Sequence, residues 1–291
     1  MMESTTVSGA LPLPDGRDLA WREAGAAPGW PVLYCHGFPS SAREIELAAA
    51  AAGAAGCRLI APDRPGYGGS SAAPREGFAE WVADAVALLD HLGLATVRVI
   101  GVSGGAPHAL ACAAWRPDRF GPIATVGGLG PLATRRSARG MSLASRCNIA
   151  LARRRSRVQA ALFRLLAAGI RLRPGIVLAL LAGSTPPADR AVLRDRSLRP
   201  LLEAALRDGV AQGGAAALAE LRLFTRPWDF DPATIAAHVA LWHGSRDTVV
   251  PVRHSRILAA ALPHGHLHLR THQGHYSLPV RHMREILERL P

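Results

Sequence analysis

Thr96-Val97-Arg98-Val99-Ile100-Gly101-Val102-Ser103-Gly104-Gly105 leads directly into Ala106-Pro107-His108-Ala109-Leu110-Ala111-Cys112-Ala113-Ala114-Trp115. The first half is a short, β-branched apolar run, the pattern of a buried parallel strand. The second half is Ala-rich with no glycine after Gly105, and it reads as a helix. Between them lies Gly101-Val102-Ser103-Gly104-Gly105, a G-x-S-x-G, which needs a strand before it and a helix after it. The glycines let the chain turn sharply without Cβ clashes. Ser103 is then expected in a strained conformation, its hydroxyl projecting from the sheet edge and facing the orphan N–H groups of the helix. Alone, the pattern also fits a Gly-rich turn with an N-capping serine. Partners elsewhere in the chain must decide.

Outward from this stretch, strands and helices alternate. Thr5–Leu13 and Arg17–Ala24 flank Pro14-Asp15-Gly16, a hairpin pattern. Buried strands are expected at Pro31–Cys35, Cys57–Ala61 and Phe120–Leu129, with helices over Ala42–Ala52 and Phe78–Leu92. After Gly130-Pro131 the alternation stops, and helix follows helix to about Arg226. It resumes with a strand at His238–Trp242, a helix at Pro251–Leu262, a strand at His266–Thr271 and a last helix at Pro279–Leu290. Such an order predicts a mostly parallel sheet covered on both faces, with an N-terminal antiparallel hairpin and a helical insertion. The division is residues 1–131 and 227–291 for the core, and 132–226 for the insertion.

The chain has 291 residues, 49% of them hydrophobic, which suits a substantial core and argues against disorder. Its formal charge of +12 is carried entirely by arginine, since lysine is absent. Residues 131–226 hold 18 arginines against 5 acids, so the charge belongs to the insertion. Three readings suit that segment: a solvated lid surface, recognition of an anionic or carrier-linked acyl substrate, or attraction to an anionic membrane surface. No nucleic-acid-binding motif is visible and no apolar run is long enough to span a membrane. Met1–Ala10 lacks a basic flank and apolar segment, and the four cysteines are scattered, so a cytoplasmic location with reduced thiols is expected. Oligomeric state is left open.

A serine hydroxyl needs a base, a carboxylate that orients the base, and donors for an oxyanion. Each has a candidate at the end of an expected strand. His243-Gly244-Ser245-Arg246-Asp247 places Asp247 beyond one strand, and His272-Gln273-Gly274-His275 places His275 beyond the next. Loops beyond the carboxyl ends of a parallel sheet share one edge, so Ser103, Asp247 and His275 can converge. Their order is that of the nucleophile-elbow fold. The N–H groups of Phe38 and Gly104 are the expected oxyanion donors. His272 is the rival base, and Asp229 and Asp231 are rival carboxylates. His264, His266 and His268 alternate along a strand in a way any polar strand face shares, so no metal site is assigned.

With those residues in place, the sequence resembles the α/β-hydrolase superfamily, in its cap-bearing, serine-nucleophile, esterase-like branch. The matching pieces are H-G-F-P-S-S at 36–41, D-R-P-G-Y-G-G-S at 63–70, G-V-S-G-G at 101–105, H-G-S-R-D-T-V-V-P at 243–251 and G-H-Y-S at 274–277. They cover most of the core in the family's order. The resemblance implies acyl transfer through an acyl-enzyme on Ser103, with no cofactor or metal. His36, His108 and Tyr276 are the expected substrate-side residues, His36 shaping the oxyanion loop and His108 on the site floor. Asp63 and Arg64 are expected to stabilise their own loop.

The family also implies exclusions. Its dehalogenase and epoxide-hydrolase branches carry aspartate where this chain has Ser103. Epoxide hydrolases use cap tyrosines, whereas Tyr34, Tyr67 and Tyr276 lie outside the insertion. Hydroxynitrile lyases of this fold use a lysine. Carboxylesterase, lactonase, thioesterase, C–C bond hydrolase and perhydrolase chemistry stay open. So do a biosynthetic cyclase or acyltransferase and a ligand-binding homologue with little hydrolytic activity.

Overall fold

The computed structural model describes residues 6–74, 76–134, 137–154 and 156–290. Val7–Pro12 (β1) and Asp18–Gly25 (β2) pair antiparallel, with Ala10 opposite Ala20. Trp30–Cys35 (β3), Cys57–Pro62 (β4), Val97–Val102 (β5), Phe120–Val126 (β6), Val239–Gly244 (β7) and Gly265–Arg270 (β8) complete the sheet. Its eight strands lie in the order β1-β2-β4-β3-β5-β6-β7-β8. The hairpin joins antiparallel through β2 and β4, and every pairing from β4 to β8 is parallel. The central strands are apolar without alternation because helices cover both faces.

Ala79–His91 (α2), Ala106–Trp115 (α3) and Arg253–Ala261 (α10) bury Leu89, Leu110 and Leu258 against one face. Ala49–Ala54 (α1) and Ser277–Glu288 (α11) bury Ala52 and Ile286 against the other. Among the described residues, six α-helices lie between β6 and β7: Leu143–Arg153 (α4), Arg157–Leu172 (α5), Pro174–Ser184 (α6), Pro187–Arg194 (α7), Arg199–Asp208 (α8) and Ala215–Phe224 (α9). Ser142 and Ser156 cap α4 and α5 by accepting the N–H groups of Ser145 and Gln159. Pro174 and Pro187 open α6 and α7, where their missing N–H costs nothing.

Two expected elements differ. The helix over Ala42–Ala52 is broken into a 3₁₀ segment, Ala42–Leu47, and α1. Asp63 Oδ1 takes the Ala42 N–H at 2.7 Å, and Glu44 turns toward Gly37 and Tyr34, so tertiary bonds override the helix propensity of alanine. The strand from Phe120 ends at Val126 rather than Leu129, because Gly127 takes a left-handed φ of 57°. The chain then turns so that the Leu129 N–H reaches the Ser103 carbonyl at 2.9 Å.

Candidate active site

The order of strands reverses around β3 and β5, so the loops leaving these two neighbours diverge and open a crevice at the carboxyl edge. The loop after β3 carries Gly37 and Phe38. The turn after β5 carries Ser103, at φ 52°, at the start of a 3₁₀ turn that becomes α3. A non-glycine residue rarely holds that conformation. It persists because the surroundings are closed: a Cβ on Gly105 would collide with the Cys35 carbonyl.

Ser103, His275 and Asp247 meet. The Ser103 hydroxyl donates to His275 Nε2 at 2.9 Å, and His275 Nδ1–H donates to Asp247 Oδ2 at 2.7 Å. The other Asp247 oxygen accepts the N–H groups of Val249 (2.9 Å) and Val250 (2.8 Å), which fixes the carboxylate on its turn. All three side chains are buried. Burial raises the Asp247 pKa, but the facing imidazole of His275 and hydrogen bonds from His243 and His275 outweigh it, and the group stays ionised far below the usual carboxylate range. Burial lowers the His275 pKa, and the charge and hydrogen bond of Asp247 more than reverse that, with Asp189 and Glu44 adding to the rise.

The Phe38 N–H has no acceptor among the described residues, and the Gly104 N–H lies in the first turn of a helical segment, where no intrahelical acceptor exists. The two residues are in close approach: a Cβ on Gly104 would sit 2.6 Å from Phe38 Cβ. Glu44 draws the Gly37 N–H (3.0 Å) and the Tyr34 hydroxyl (2.9 Å) to itself, setting the loop beneath Phe38.

Ser103 and His275 line a cavity of about 480 Å³. Its wall is apolar, with Leu178, Leu193, Leu221 and Phe224 from the inserted helices, and no arginine among the described residues lines it.

Tyr276 lines the cavity, but His36 and His108 do not. His36 is buried behind the loop that bears Phe38, its Nδ1 bonded to the Gly37 carbonyl at 2.9 Å. His108 points away into the core, with Nδ1 on the Gly104 carbonyl (3.1 Å) and Nε2 3.4 Å from Glu220. His272 is exposed, and the Ser103 hydroxyl is bonded to His275 instead. Asp229 caps α2 through the N–H groups of Phe78 and Ala79, and Asp231 caps the turn at Pro232. His268 stacks on Trp242 and His264 lies tilted against His238, and no metal-holding cluster occurs among the described residues.

Three acids of the insertion bind the core, and Asp208 does so by accepting from Arg43 Nε at 2.7 Å. Asp189, fully buried on α7, accepts the N–H groups of His275 (2.8 Å), Tyr276 (3.0 Å) and Ser277 (2.8 Å). Glu220 on α9 holds the buried Arg64 through two bonds, 2.6 and 3.0 Å, and accepts the Tyr67 hydroxyl at 2.7 Å. Arg64 thus reaches well beyond its own loop, donating also to the carbonyls of His36 (2.6 Å) and Gly37 (3.0 Å). These links join positions 86 and 156 residues apart, which local spacing does not reveal.

The family defined by the alpha/beta hydrolase fold matches residues 31–281. The chain belongs to the α/β-hydrolase family. It is 39% identical over 109 residues to an epoxide hydrolase of Caballeronia sordidicola, covering 36% of this chain and 32% of that one. It is 26% identical over 266 residues to 2-hydroxymuconate semialdehyde hydrolase of Pseudomonas putida, covering 86% and 82%. The match thus spans about a third of the first relative's length. A carboxylesterase structure from Nitrososphaera gargenis superposes with TM-score 0.69 at 17% identity, covering 96% of each chain, a likeness of fold. Among the described residues, no single helix of this α/β-hydrolase is long and apolar enough to cross a membrane.

Proposed function

We propose that this α/β-hydrolase is a serine hydrolase that cleaves an ester-type acyl bond, whether carboxylester, lactone or thioester, through an acyl-enzyme on Ser103. The observation that carries the reading is the continuous chain of hydrogen bonds from Ser103 Oγ through His275 to Asp247, at 2.9 and 2.7 Å. His275 Nε2 takes the Ser103 proton as Oγ attacks the carbonyl carbon. Asp247 holds the ring and stabilises its imidazolium form. The N–H groups of Phe38 and Gly104 face the oxyanion, a contribution of about 3–4 kcal/mol for one such donor. The imidazolium protonates the leaving alcohol or thiol. Water then attacks the acyl-enzyme, giving its proton to His275, and the acid leaves as Ser103 is re-protonated. The inserted helices act as a cap, and their apolar wall suits an apolar acyl chain.

Similarity to epoxide hydrolases does not carry epoxide opening to this chain, which has serine at the elbow and no tyrosine in the insertion. A second reading, cleavage of a C–C bond next to a carbonyl, is favoured by the relative that covers most of both chains, 2-hydroxymuconate semialdehyde hydrolase.

The test is hydrolysis of p-nitrophenyl acetate, butyrate and octanoate by the wild type and Ser103→Ala. Turnover that rises with acyl length and disappears in the variant is expected. Absence of turnover on every ester, or unchanged turnover in Ser103→Ala, overturns the proposal.

A further inference from the structure

The inserted helices carry an apolar surface that packing within the chain does not use. Helix α5 has three faces. Phe163, Ala167 and Ile170 are buried, the last two against Val210 and Leu206 elsewhere in the insertion. Val158, Leu162, Leu165 and Leu172 form a second row and are 51–77% exposed, and Leu166 beside them is 47% exposed. Arg157, Arg164 and Arg171, seven residues apart, form the third row at the edge of the exposed apolar one. Helix α6 continues the surface with Ile176 and Leu180, 58% and 71% exposed. The sequence of α5 is therefore amphipathic twice over: one apolar face for the protein interior and one for something else.

The charge around this surface is uncompensated. Every acid of the insertion is engaged elsewhere: Asp189 and Glu220 with the core, Asp195 with Ser197, Glu203 with Arg199, and Asp208 with Arg43. Among the described residues, Arg157, Arg164 and Arg171 form no ion pair. A second copy of this chain would set arginine rows against each other. An anionic lipid surface instead complements both rows, taking leucine side chains between headgroups and arginines at the phosphate level. Crossing the bilayer is not compatible with this shape. The α5–α6 pair is apolar but bends by 108°, and the inner face of α5 is already buried against the other inserted helices.

We propose that the outer face of α5 and α6 is a docking surface for anionic lipid bilayers, holding the protein peripherally with its inserted helices toward the membrane. Leu166 belongs both to this exposed row and to the wall of the Ser103 cavity, so the cavity lies directly behind the docking face.

Sedimentation of the full chain with vesicles tests this, using phosphatidylcholine alone and phosphatidylcholine with about 30% phosphatidylglycerol. Binding to the anionic vesicles, weak binding to neutral ones and release by high salt are expected. Arg164→Gln/Arg171→Gln should weaken binding about 25-fold, roughly fivefold per arginine. Leu165→Glu/Leu180→Glu should abolish it. Circular dichroism and a thermal melt identify any variant that fails to fold. Wild-type protein that stays in the supernatant with anionic vesicles overturns the proposal. So does equal binding to both vesicle types. A dimer that the leucine variant converts to monomer also overturns it, by giving this face to a second copy.

Discussion

The backbone N–H of His275 donates to the carboxylate of Asp189, 2.8 Å away and 86 residues earlier in the chain. One acid on an inserted helix thus fixes the start of α11 and the residue that faces Ser103. Asp189→Ala should leave three buried N–H groups without their acceptor and let the imidazole drift. A displacement of that kind costs on the order of 100-fold in kcat/KM. Asp189→Asn keeps an acceptor oxygen but removes the negative charge, so the acid limb of the pH–rate profile should move to lower pH. Profiles of kcat/KM for p-nitrophenyl butyrate separate positioning from simple structural damage, which would lower the rate without moving the limb.

The base must be neutral to accept the serine proton. Asp247 holds a proton on His275 above the ordinary histidine value of 6.5, so activity should climb with pH through an apparent pKa above that value. Asp247→Asn should lower the limb and cut kcat on the order of 10⁴-fold, the size of the corresponding loss in a serine protease. A wild-type limb at or below the ordinary histidine value would contradict the assigned pairing.

Gly104→Ala tests the oxyanion donors without touching the hydrogen-bonded chain. The new methyl would sit 2.6 Å from Phe38 Cβ and force the two N–H groups apart. A fall in kcat of about 10²–10³-fold with little change in thermal stability is expected.

Glu220→Gln addresses stability. Arg64 is fully buried, and losing the charge of its partner leaves a guanidinium without compensation, a cost of about 3–5 kcal/mol. Urea unfolding should show a lower midpoint with an unchanged slope. A change below about 1 kcal/mol would mean that the Tyr67 hydroxyl and the backbone carbonyls suffice to hold Arg64.

The strand-turn-helix around Ser103 and the loops bearing Asp247 and His275 were legible because their determinants are local: β-branched runs, glycines at the turns, and a sheet edge that gathers loops by topology. The roles of Asp189 and Glu220 were not, since each acts across the boundary between core and insertion and lies in an unremarkable amphipathic helix. His36 and His108 show the opposite failure. His36 lies two residues before Phe38 and His108 four after Gly104, yet both rings end behind the loop that bears Phe38 rather than in the cavity. The Ala-rich stretch from Ala42 to Ala52 broke because buried polar contacts at Glu44 and Asp63 outrank intrinsic propensity.

Helices α7 and α9 are held to the core by Asp189 and Glu220, and α8 by Asp208 on Arg43, whereas among the described residues α5 and α6 have no such polar anchor. Helix α6 is tied in turn to α7, Arg190 donating to the carbonyls of Ala182 (3.1 Å) and Thr185 (3.2 Å). Substitutions on the outer face of α5 and α6 therefore leave untouched the contacts by which Asp189 and Glu220 hold His275 and Arg64.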